Sequence, residues 1–189
     1  MGKTEYFDIR NEKGEITGEV KERSRVHRDG DLHGTVHIWV VRETEKGYDV
    51  LLQKRSSNKD SFPDCYDISS AGHVEAGCDY LESALREIKE ELGIEACEQD
   101  LEYFGMHEGY VETEFYGKPF KNHEISAMYL YRKPITIEAL TLQQEEVSSV
   151  MFLDYHTCEK MIKDGTLKHC IYLDEFIRLG EKLGLRKEI

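Results

Sequence analysis

At 189 residues the chain is long enough for one domain with a full core and short for two, so we predict a single domain over residues 1–189. Its 39% hydrophobic and 33% charged residues exclude a disordered chain. It has no apolar run near the roughly 18 residues of a membrane helix and no signal-peptide segment, so we expect a cytoplasmic protein without a membrane partner. The formal net charge of −13 disfavours a nucleic-acid polymer as partner, because such polymers are bound chiefly through lysine and arginine contacts.

The N-terminal segment, residues 1–30, contains two short extended runs within EYFDIRNEKGEITGEVKERSRVH, separated by the turn NEKGE. Runs of this kind around a glycine-containing turn predict a β-hairpin that leads into the domain. A hairpin added ahead of the domain is also a candidate contact between two copies of the chain in a homodimer.

The following runs alternate between strand and turn. TVHIWVVRE and YDVLLQKRS are rich in β-branched and aromatic residues and flank the turn TEKG, which predicts a second hairpin. Beyond the loop SNKDSFPDC, we predict further strands in YDISSAGHV, LEYFGMHEGYVE and HEISAMYLYRK, and two terminal helices within residues 155–185. This order predicts an α/β fold in which helices cover a mixed sheet.

Residues 76–94, AGCDYLESALREIKEELGI, are predicted to form an acidic helix between these strands. Glu87, Glu90 and Glu91 lie within an arc of about 100° at 3.6 residues per turn. A separate apolar stripe should bury against the sheet; it consists of Leu81, Ala84, Leu85, Ile88 and Leu92. The clustered carboxylates are either a solvated acidic face, where repulsion costs only about 0.2 to 0.5 kcal/mol per pair, or a cation site.

The sequence around this helix distinguishes the two interpretations. It resembles the Nudix box of the Nudix hydrolases, which reads glycine, five residues, glutamate, seven residues, Arg-Glu, an aliphatic residue, any residue, Glu-Glu, any residue, glycine and an aliphatic residue. Over residues 72–94, eight of the nine specified positions match: Gly72, Arg86, Glu87, Ile88, Glu90, Glu91, Gly93 and Ile94. Cys78 occupies the ninth position, where the family has a glutamate.

The resemblance implies a Nudix-like α/β/α sandwich with a mixed β-sheet, and a cation site against a small-molecule diphosphate. Glu87, Glu90 and Glu91 would hold Mg²⁺ or Mn²⁺, which prefer oxygen ligands, and the cation would activate a water that attacks phosphorus. Arg86 would orient Glu87 through charge-assisted hydrogen bonds, the alternative being a surface pair with the preceding helical turn. Because a thiol is a poor ligand for Mg²⁺, Cys78 implies fewer or more weakly bound cations.

A second resemblance concerns the segment before the box, which is similar to the isopentenyl-diphosphate isomerases of the same fold. AGH at 71–73 stands where the isomerase has its catalytic CGH, and QKRSSNK precedes it at the isomerase spacing of diphosphate-binding residues. The resemblance makes Arg55 and Lys59 candidate substrate ligands. The alternative is a basic strand end without a ligand.

The isomerases also hold a metal between histidines and glutamates. His33 and His73 match two of these histidines, Glu124 matches one carboxylate, and Asn122 replaces another. His27 matches a third histidine only if one residue is deleted. The resemblance therefore implies a second metal site at His33, His73 and Glu124, at which imidazole would favour Mn²⁺ or Zn²⁺; the alternative is that these histidines line or cap a pocket.

These residues favour a metal-dependent Nudix pyrophosphohydrolase that cleaves a nucleoside diphosphate linked to another moiety, or a related organic diphosphate. The general base must reach the attacking water, and Glu124, Glu87 and Glu145 are the candidates. An isopentenyl-diphosphate isomerase is disfavoured because the methyl group of Ala71 cannot transfer a proton. The third hypothesis is a Nudix-fold binding module with little catalysis.

Overall fold

The computed structural model of the protein describes residues 4–186. Within this range nine strands and four α-helices follow one another along the chain. The strands are β1 (Tyr6–Arg10), β2 (Ile16–Glu22), β3 (Leu32–Thr44), β4 (Gly47–Arg55), β5 (Tyr66–Asp67), β6 (Ser70–His73), β7 (Glu102–Phe115), β8 (Lys118–Tyr131) and β9 (Val147–Asp154). The helices are α1 (Arg23–Asp29), α2 (Tyr80–Leu92), α3 (Tyr155–Lys163) and α4 (Leu173–Lys182).

All nine strands belong to one mixed sheet organised around β3. This strand pairs in parallel with β8 and antiparallel with β1, β4 and β6, while β2 pairs with β1, β7 with β8, and β5 and β9 with β4. The register places His33 beside Glu124 of β8 and His37 beside Ala71 of β6. Through these pairings, residues of β3, β6 and β8 come together in one region of the sheet.

The two faces of the sheet are covered by different helices. Val36, Ile38 and Val40 of β3 are fully buried in a core cluster with the apolar stripe of α2. Trp39 and Val41 point to the other face, where they belong to a cluster with α3 and α4. Successive residues of a strand point to opposite faces, so this division confirms the predicted α/β/α sandwich with a mixed sheet.

The N-terminal segment is a hairpin followed by a helix. Strands β1 and β2 confirm the predicted hairpin, but residues 23–29 form α1, although we predicted that they would be extended. The helix buries Val26 and ends at Gly30, whose φ of 78° is a left-handed conformation that glycine adopts readily. The burial of Val26 stabilises this helix, although its many charged residues give no clear helical pattern in the sequence.

The remaining differences from the predicted elements are local. YDISSAGHV contains two short strands, β5 and β6, and strand β9 was absent from the prediction because its serines interrupt the apolar pattern. Both predicted terminal helices are present, and Phe176 and Leu179 of α4 are fully buried. None of the described helices has the length and apolar character that crossing a membrane requires.

Candidate functional site

Two adjoining cavities lie at one end of the sheet: the inner one where β6, α2, β8 and the segment before α4 meet, and the outer one between α1, the loop before β5 and the β7–β8 turn. The inner cavity has a volume of about 240 Å³, and the wider outer cavity has about 620 Å³. They share part of their lining, including Arg23, Lys59 and Phe120. The inner cavity brings together most of the predicted site residues: His27, Arg55, Lys59, His73, Arg86, Glu87, Glu90, Glu91 and Glu124.

Helix α2 presents the three clustered carboxylates to the inner cavity. The side chain of Asp79 caps the start of the helix by accepting a hydrogen bond from the Glu82 N–H, and Gly93 ends it in a left-handed conformation. Of the predicted apolar stripe, Ala84, Ile88 and Leu92 are buried against the sheet, and the two other leucines are partly buried. Because the stripe fixes the rotation of the helix, Glu87, Glu90 and Glu91 all line the cavity, as their spacing predicted.

Glu91 is the most restrained of the three carboxylates. It is buried, and its Oε2 accepts hydrogen bonds from Ser70 Oγ at 2.7 Å, the Ala71 N–H at 3.1 Å and Gln53 Nε2 at 3.3 Å. Burial raises the pKa of Glu91 to about 8, and the nearby Glu87 charge adds to the shift. The chain therefore holds one carboxylate in a fixed orientation in a place where its charge is costly without a cation.

Glu87 is oriented by Arg86. The Nη2 of Arg86 donates to Glu87 Oε1 at 2.8 Å and to the His73 carbonyl at 3.0 Å, while Nη1 lies 3.5 Å from Glu75 Oε1. Burial raises the pKa of Glu87 to about 7, although Arg86 opposes the shift. Arg86 therefore contacts groups that line the inner cavity, as an orienting residue would, and not the preceding turn on the helix surface.

Gly72 is required for this placement of Glu87. A Cβ built on Gly72 would overlap the Glu87 carboxylate. We therefore expect Gly72→Ala to displace Glu87; if Glu87 is the metal ligand that the sequence predicts, kcat should fall about a hundredfold, the upper end of the loss caused by disturbing the support of a metal ligand. Steady-state kinetics and thermal unfolding measure the two consequences separately.

Gly165→Ala is the comparison for this variant. Gly165, beyond the end of α3, has a φ of 64° with open space around its Cβ position and lines neither cavity, so alanine there strains the backbone away from the site. Gly165→Ala should lower the unfolding midpoint and leave kcat within about twofold, given a strain of about 1 kcal/mol. An unchanged kcat in Gly72→Ala would show that activity does not depend on the placement of Glu87 seen here.

The two predicted phosphate ligands line the cavity but already have partners. Arg55 Nη1 donates to Asp67 Oδ2 at 3.0 Å, and its Nη2 donates to the Ser61 carbonyl at 3.1 Å. Lys59 forms an ion pair with Glu146. An incoming anion would thus meet two cations held at the cavity wall.

Three histidines form a compact cluster beside this region. One ring nitrogen from each of His27, His33 and His73 lies within 4.8 Å of the others, and His33 Nε2 is buried without a hydrogen-bond partner. Phe7 stacks on His73 at a centroid distance of 4.5 Å. Burial lowers the pKa of His27 to about 3, so the cluster holds neutral imidazoles that can ligate a metal.

The cluster differs in membership from the predicted second site. His33 and His73 are present as predicted, and α1 adds His27, for which the sequence comparison required a deletion. Glu124 lies nearby, where its Oε2 accepts from Asn122 Nδ2 at 2.7 Å and its Oε1 lies 3.7 Å from His37 Nε2. Glu145, the other candidate base, lines the outer cavity and not the inner one.

Sequence reasoning missed a buried polar network below the inner cavity. Glu175 of α4, only 1% exposed, accepts hydrogen bonds from His37 Nδ1 and Trp39 Nε1, each at 2.7 Å. Burial lowers the pKa of His37, but the Glu175 carboxylate outweighs it and raises that pKa to about 9. The one sequence signal was the spacing of His37 and Trp39, which places both side chains on the same face of β3.

The outer cavity combines aromatic and charged side chains. Phe115 and Phe120 pack edge to face at 5.3 Å, and Tyr116, which is exposed, donates its hydroxyl to the Lys59 carbonyl at 3.3 Å. Most of the other lining side chains are charged, among them Arg28 and Lys118. This wall can contact a flat ring that carries polar substituents.

The chain is similar in sequence to known proteins. The sequence model of the NUDIX domain matches residues 31–171. Nudix hydrolase 3 of Arabidopsis thaliana is 46% identical over 154 residues, which cover 80% of this chain and 19% of that protein, so the chain spans about a fifth of this relative. An uncharacterized Nudix hydrolase of Clostridium acetobutylicum is 36% identical over 150 residues, or 79% of this chain and 70% of that protein.

Solved structures support the fold. The crystal structure of DR0079 from Deinococcus radiodurans matches with a TM-score of 0.65 and 19% identity, over 97% of this chain and 100% of that one. The NUDIX domain of Shewanella oneidensis NrtR in complex with ADP ribose matches with a TM-score of 0.55 and 15% identity, over 79% and 87% of the two chains. At these identities the likeness concerns the architecture alone.

Proposed function

Because the chain belongs to the Nudix hydrolase family, whose members act on anhydride bonds, we propose that it is a metal-dependent pyrophosphohydrolase that cleaves a nucleoside diphosphate linked to another moiety, or a related organic diphosphate. The observation that carries the proposal is the convergence of Glu87, Glu90 and Glu91 in one cavity, with Glu91 buried and fixed by three donors. A binding module without metal chemistry would have no use for a charge held at this cost.

The donor set of α2 fits Mg²⁺ or Mn²⁺, because three carboxylates supply hard oxygen ligands beside a cavity that can admit phosphate oxygens. When bound, such a cation supplies charge neutralisation for the diphosphate and lowers the pKa of water. Arg86 holds Glu87 in place for this purpose. Arg55 and Lys59 bind the phosphates by exchanging their carboxylate partners for substrate oxygens.

Glu124 is the general base in this proposal. It lines the inner cavity opposite α2, and Asn122 fixes its carboxylate at 2.7 Å. Its other oxygen lies 3.7 Å from His37 Nε2, so both oxygens of the carboxylate face a polar group of the chain.

The outer cavity supports the nucleoside part of the proposal. A flat base can stack on Phe120 and Tyr116 while its ribose and phosphates meet charged side chains such as Lys118. An isoprenoid chain would instead bury apolar surface against a mainly charged wall. The NUDIX domain of NrtR was solved with ADP ribose, a ligand of the class that we propose.

We do not assign isomerisation of an isoprenoid diphosphate. Ala71 lines the inner cavity beside His37, and its methyl group cannot donate or accept the proton that the isomerase mechanism needs. None of the comparisons favours the isomerases within the Nudix family.

A turnover screen tests the function. ADP ribose, dinucleoside polyphosphates, coenzyme A and isoprenoid diphosphates are incubated with the protein and Mg²⁺ or Mn²⁺, and products are separated by anion-exchange chromatography. We expect nucleoside monophosphate from at least one nucleoside diphosphate derivative. Isomerised isoprenoid diphosphate as the sole product, or no turnover of any compound, would contradict the proposal.

We further infer that His27, His33 and His73 hold a second cation, Mn²⁺ or Zn²⁺. The unpartnered Nε2 of buried His33 supports this, since a buried polar atom without a partner is costly. His73→Ala is expected to lower the metal content of Zn²⁺-dialysed protein by one ion per chain, measured by mass spectrometry of the metal. His156→Ala, at an exposed histidine on α3, should leave the content unchanged; equal contents in both variants would refute the second site.

Without added metal, the protein should become less stable as the pH rises from 7 to 9. The folded-state pKa values of Glu87, about 7, and Glu91, about 8, lie above the roughly 4.3 of an unfolded glutamate, so the folded state binds more protons in this window. Stability present at low pH is therefore lost as the pH passes these values. Calorimetry at pH 7 and 9 should show a falling midpoint, which Mg²⁺ restores most at pH 9, where the carboxylates are ionised.

Glu91→Gln provides the comparison for this pH dependence, because glutamine does not titrate. Its midpoint should fall less between pH 7 and 9 than that of the unsubstituted protein. Equal slopes in the two proteins would show that Glu91 is not the titrating group.

The N-terminal hairpin remains our candidate for a homodimer contact. Strand β2 lies at the edge of the sheet, and its Ile16 and Val20 are exposed. Light scattering coupled to size exclusion should report twice the mass of 22.0 kDa, and a monomer at micromolar concentration would exclude this arrangement.

A further inference from the structure

Cys78 departs from the family pattern at a position that the structure places away from the cavity. Its side chain packs against the core cluster between α2 and the sheet, and it lines neither the inner nor the outer cavity. A small, partly buried thiol in this setting behaves as an apolar group. The charge that the family has at this position is therefore not replaced by the thiol.

Glu75, three residues earlier, does place a carboxylate in the site. It lines the inner cavity together with Glu87 and Glu90, and its Oε1 lies 3.5 Å from Arg86 Nη1. The side chains of Glu75 and Arg86 are both only about 30% exposed, so solvent screens this pair less than a surface pair. Arg86 thus has a carboxylate on each side, Glu75 at Nη1 and Glu87 at Nη2.

The backbone around Glu75 is held by the N-terminal hairpin. Phe7 of β1 forms an antiparallel bridge with Glu75, and the Ala76 N–H donates to the Tyr6 carbonyl at 2.8 Å. The Gly77 N–H donates to Asp8 Oδ2, also at 2.8 Å. Strand β1 therefore restrains the loop on which the Glu75 side chain is mounted.

We propose that Glu75 is a positioning residue for the cation site, in a chain whose box glutamate is replaced by Cys78. By holding Nη1 of Arg86, it keeps Nη2 on the carboxylate of Glu87, so that Glu87 is presented to the cation. The inference rests on the proposed cation site of α2. It also gives the N-terminal segment, which lies outside residues 31–171, a part in that site.

Mg²⁺ binding measured by titration calorimetry at pH 8 tests this role, since Mg²⁺ prefers the carboxylates to the histidine cluster. Glu75→Gln should weaken Mg²⁺ about tenfold, the low end of the loss seen when a residue supporting a metal ligand is changed. Glu82→Gln is the matched control, because Glu82 is an exposed glutamate of α2, the helix that carries Arg86. It should change the affinity less than twofold, in line with the small effects of exposed charges.

A double-mutant cycle separates positioning from direct ligation. If Glu75 acts through Arg86, adding Glu75→Gln to Arg86→Ala should change the Mg²⁺ affinity less than about twofold. If Glu75 is itself a ligand, Glu75→Gln will lower the Mg²⁺ affinity as much in the Arg86→Ala protein as in the unsubstituted one, and the proposal is overturned. An unaltered affinity in Glu75→Gln alone overturns it as well.

Glu91→Gln distinguishes this inference from the proposed function. Loss of Mg²⁺ binding in Glu91→Gln together with unchanged binding in Glu75→Gln would leave the cation site in place and remove only the role of Glu75. Absence of Mg²⁺ binding in the unsubstituted protein would overturn both. Thermal unfolding of each variant establishes that the measured protein is folded.

Discussion

Replacing Glu91 with glutamine is expected to abolish hydrolysis, lowering kcat by about a thousandfold or more. Glu91 is the carboxylate that the fold buries and aligns most completely, and glutamine cannot supply the negative charge that a divalent cation needs there. A cation contributes several kcal/mol to the transition state, and about 4 kcal/mol corresponds to a thousandfold in rate. Activity is measured with the best substrate of the turnover screen at saturating Mg²⁺.

The loss should occur without unfolding. Glutamine is nearly isosteric with glutamic acid, and the pKa of about 8 means that Glu91 is largely protonated in the metal-free protein at pH 7. Glu95→Gln is the control, since Glu95 lies beyond the same helix with a side chain that is 78% exposed and pairs with Lys89. Activity of Glu91→Gln within tenfold of the unsubstituted protein would show that the cation is held elsewhere.

Replacing Glu175 with alanine is expected to lower the free energy of unfolding by about 3–5 kcal/mol, the usual consequence of removing one partner from a buried ionic pair. The carboxylate accepts from His37 Nδ1 and Trp39 Nε1, and both donors would remain buried without an acceptor. Because Trp39 is fully buried, its indole cannot turn to water. Urea denaturation followed by tryptophan fluorescence measures the change.

Asp174→Ala is the matched control. Asp174 also belongs to α4 and accepts from a histidine, His107, but its side chain is 74% exposed. Because water can reach the Asp174 carboxylate, we expect its pair with the buried His107 to contribute no more than about 1 kcal/mol. Equal losses in the two variants would mean that the Glu175 network adds no stability beyond that of a pair with one exposed partner.

The local features of the site could be predicted from the sequence. The stripe from Leu81 to Leu92 and the arc of Glu87, Glu90 and Glu91 depend only on the helical period, so helix α2 and the convergence of its carboxylates follow from spacing. The second hairpin and the two-sided sheet were likewise readable from β-branched runs and turn residues.

The tertiary structure decided which groups meet and how deeply each is buried. Glu175 reaches His37 across 138 positions, and α1 carries His27 to His33 and His73, contacts that no local period encodes. Glu91 is buried and accepts hydrogen bonds from Ser70 and Ala71, whereas Glu90 is exposed, although the helical spacing alone gives both the same role. The physical reason is that periodicity specifies the direction of a side chain on its own element, whereas desolvation and pairing depend on the elements packed against it.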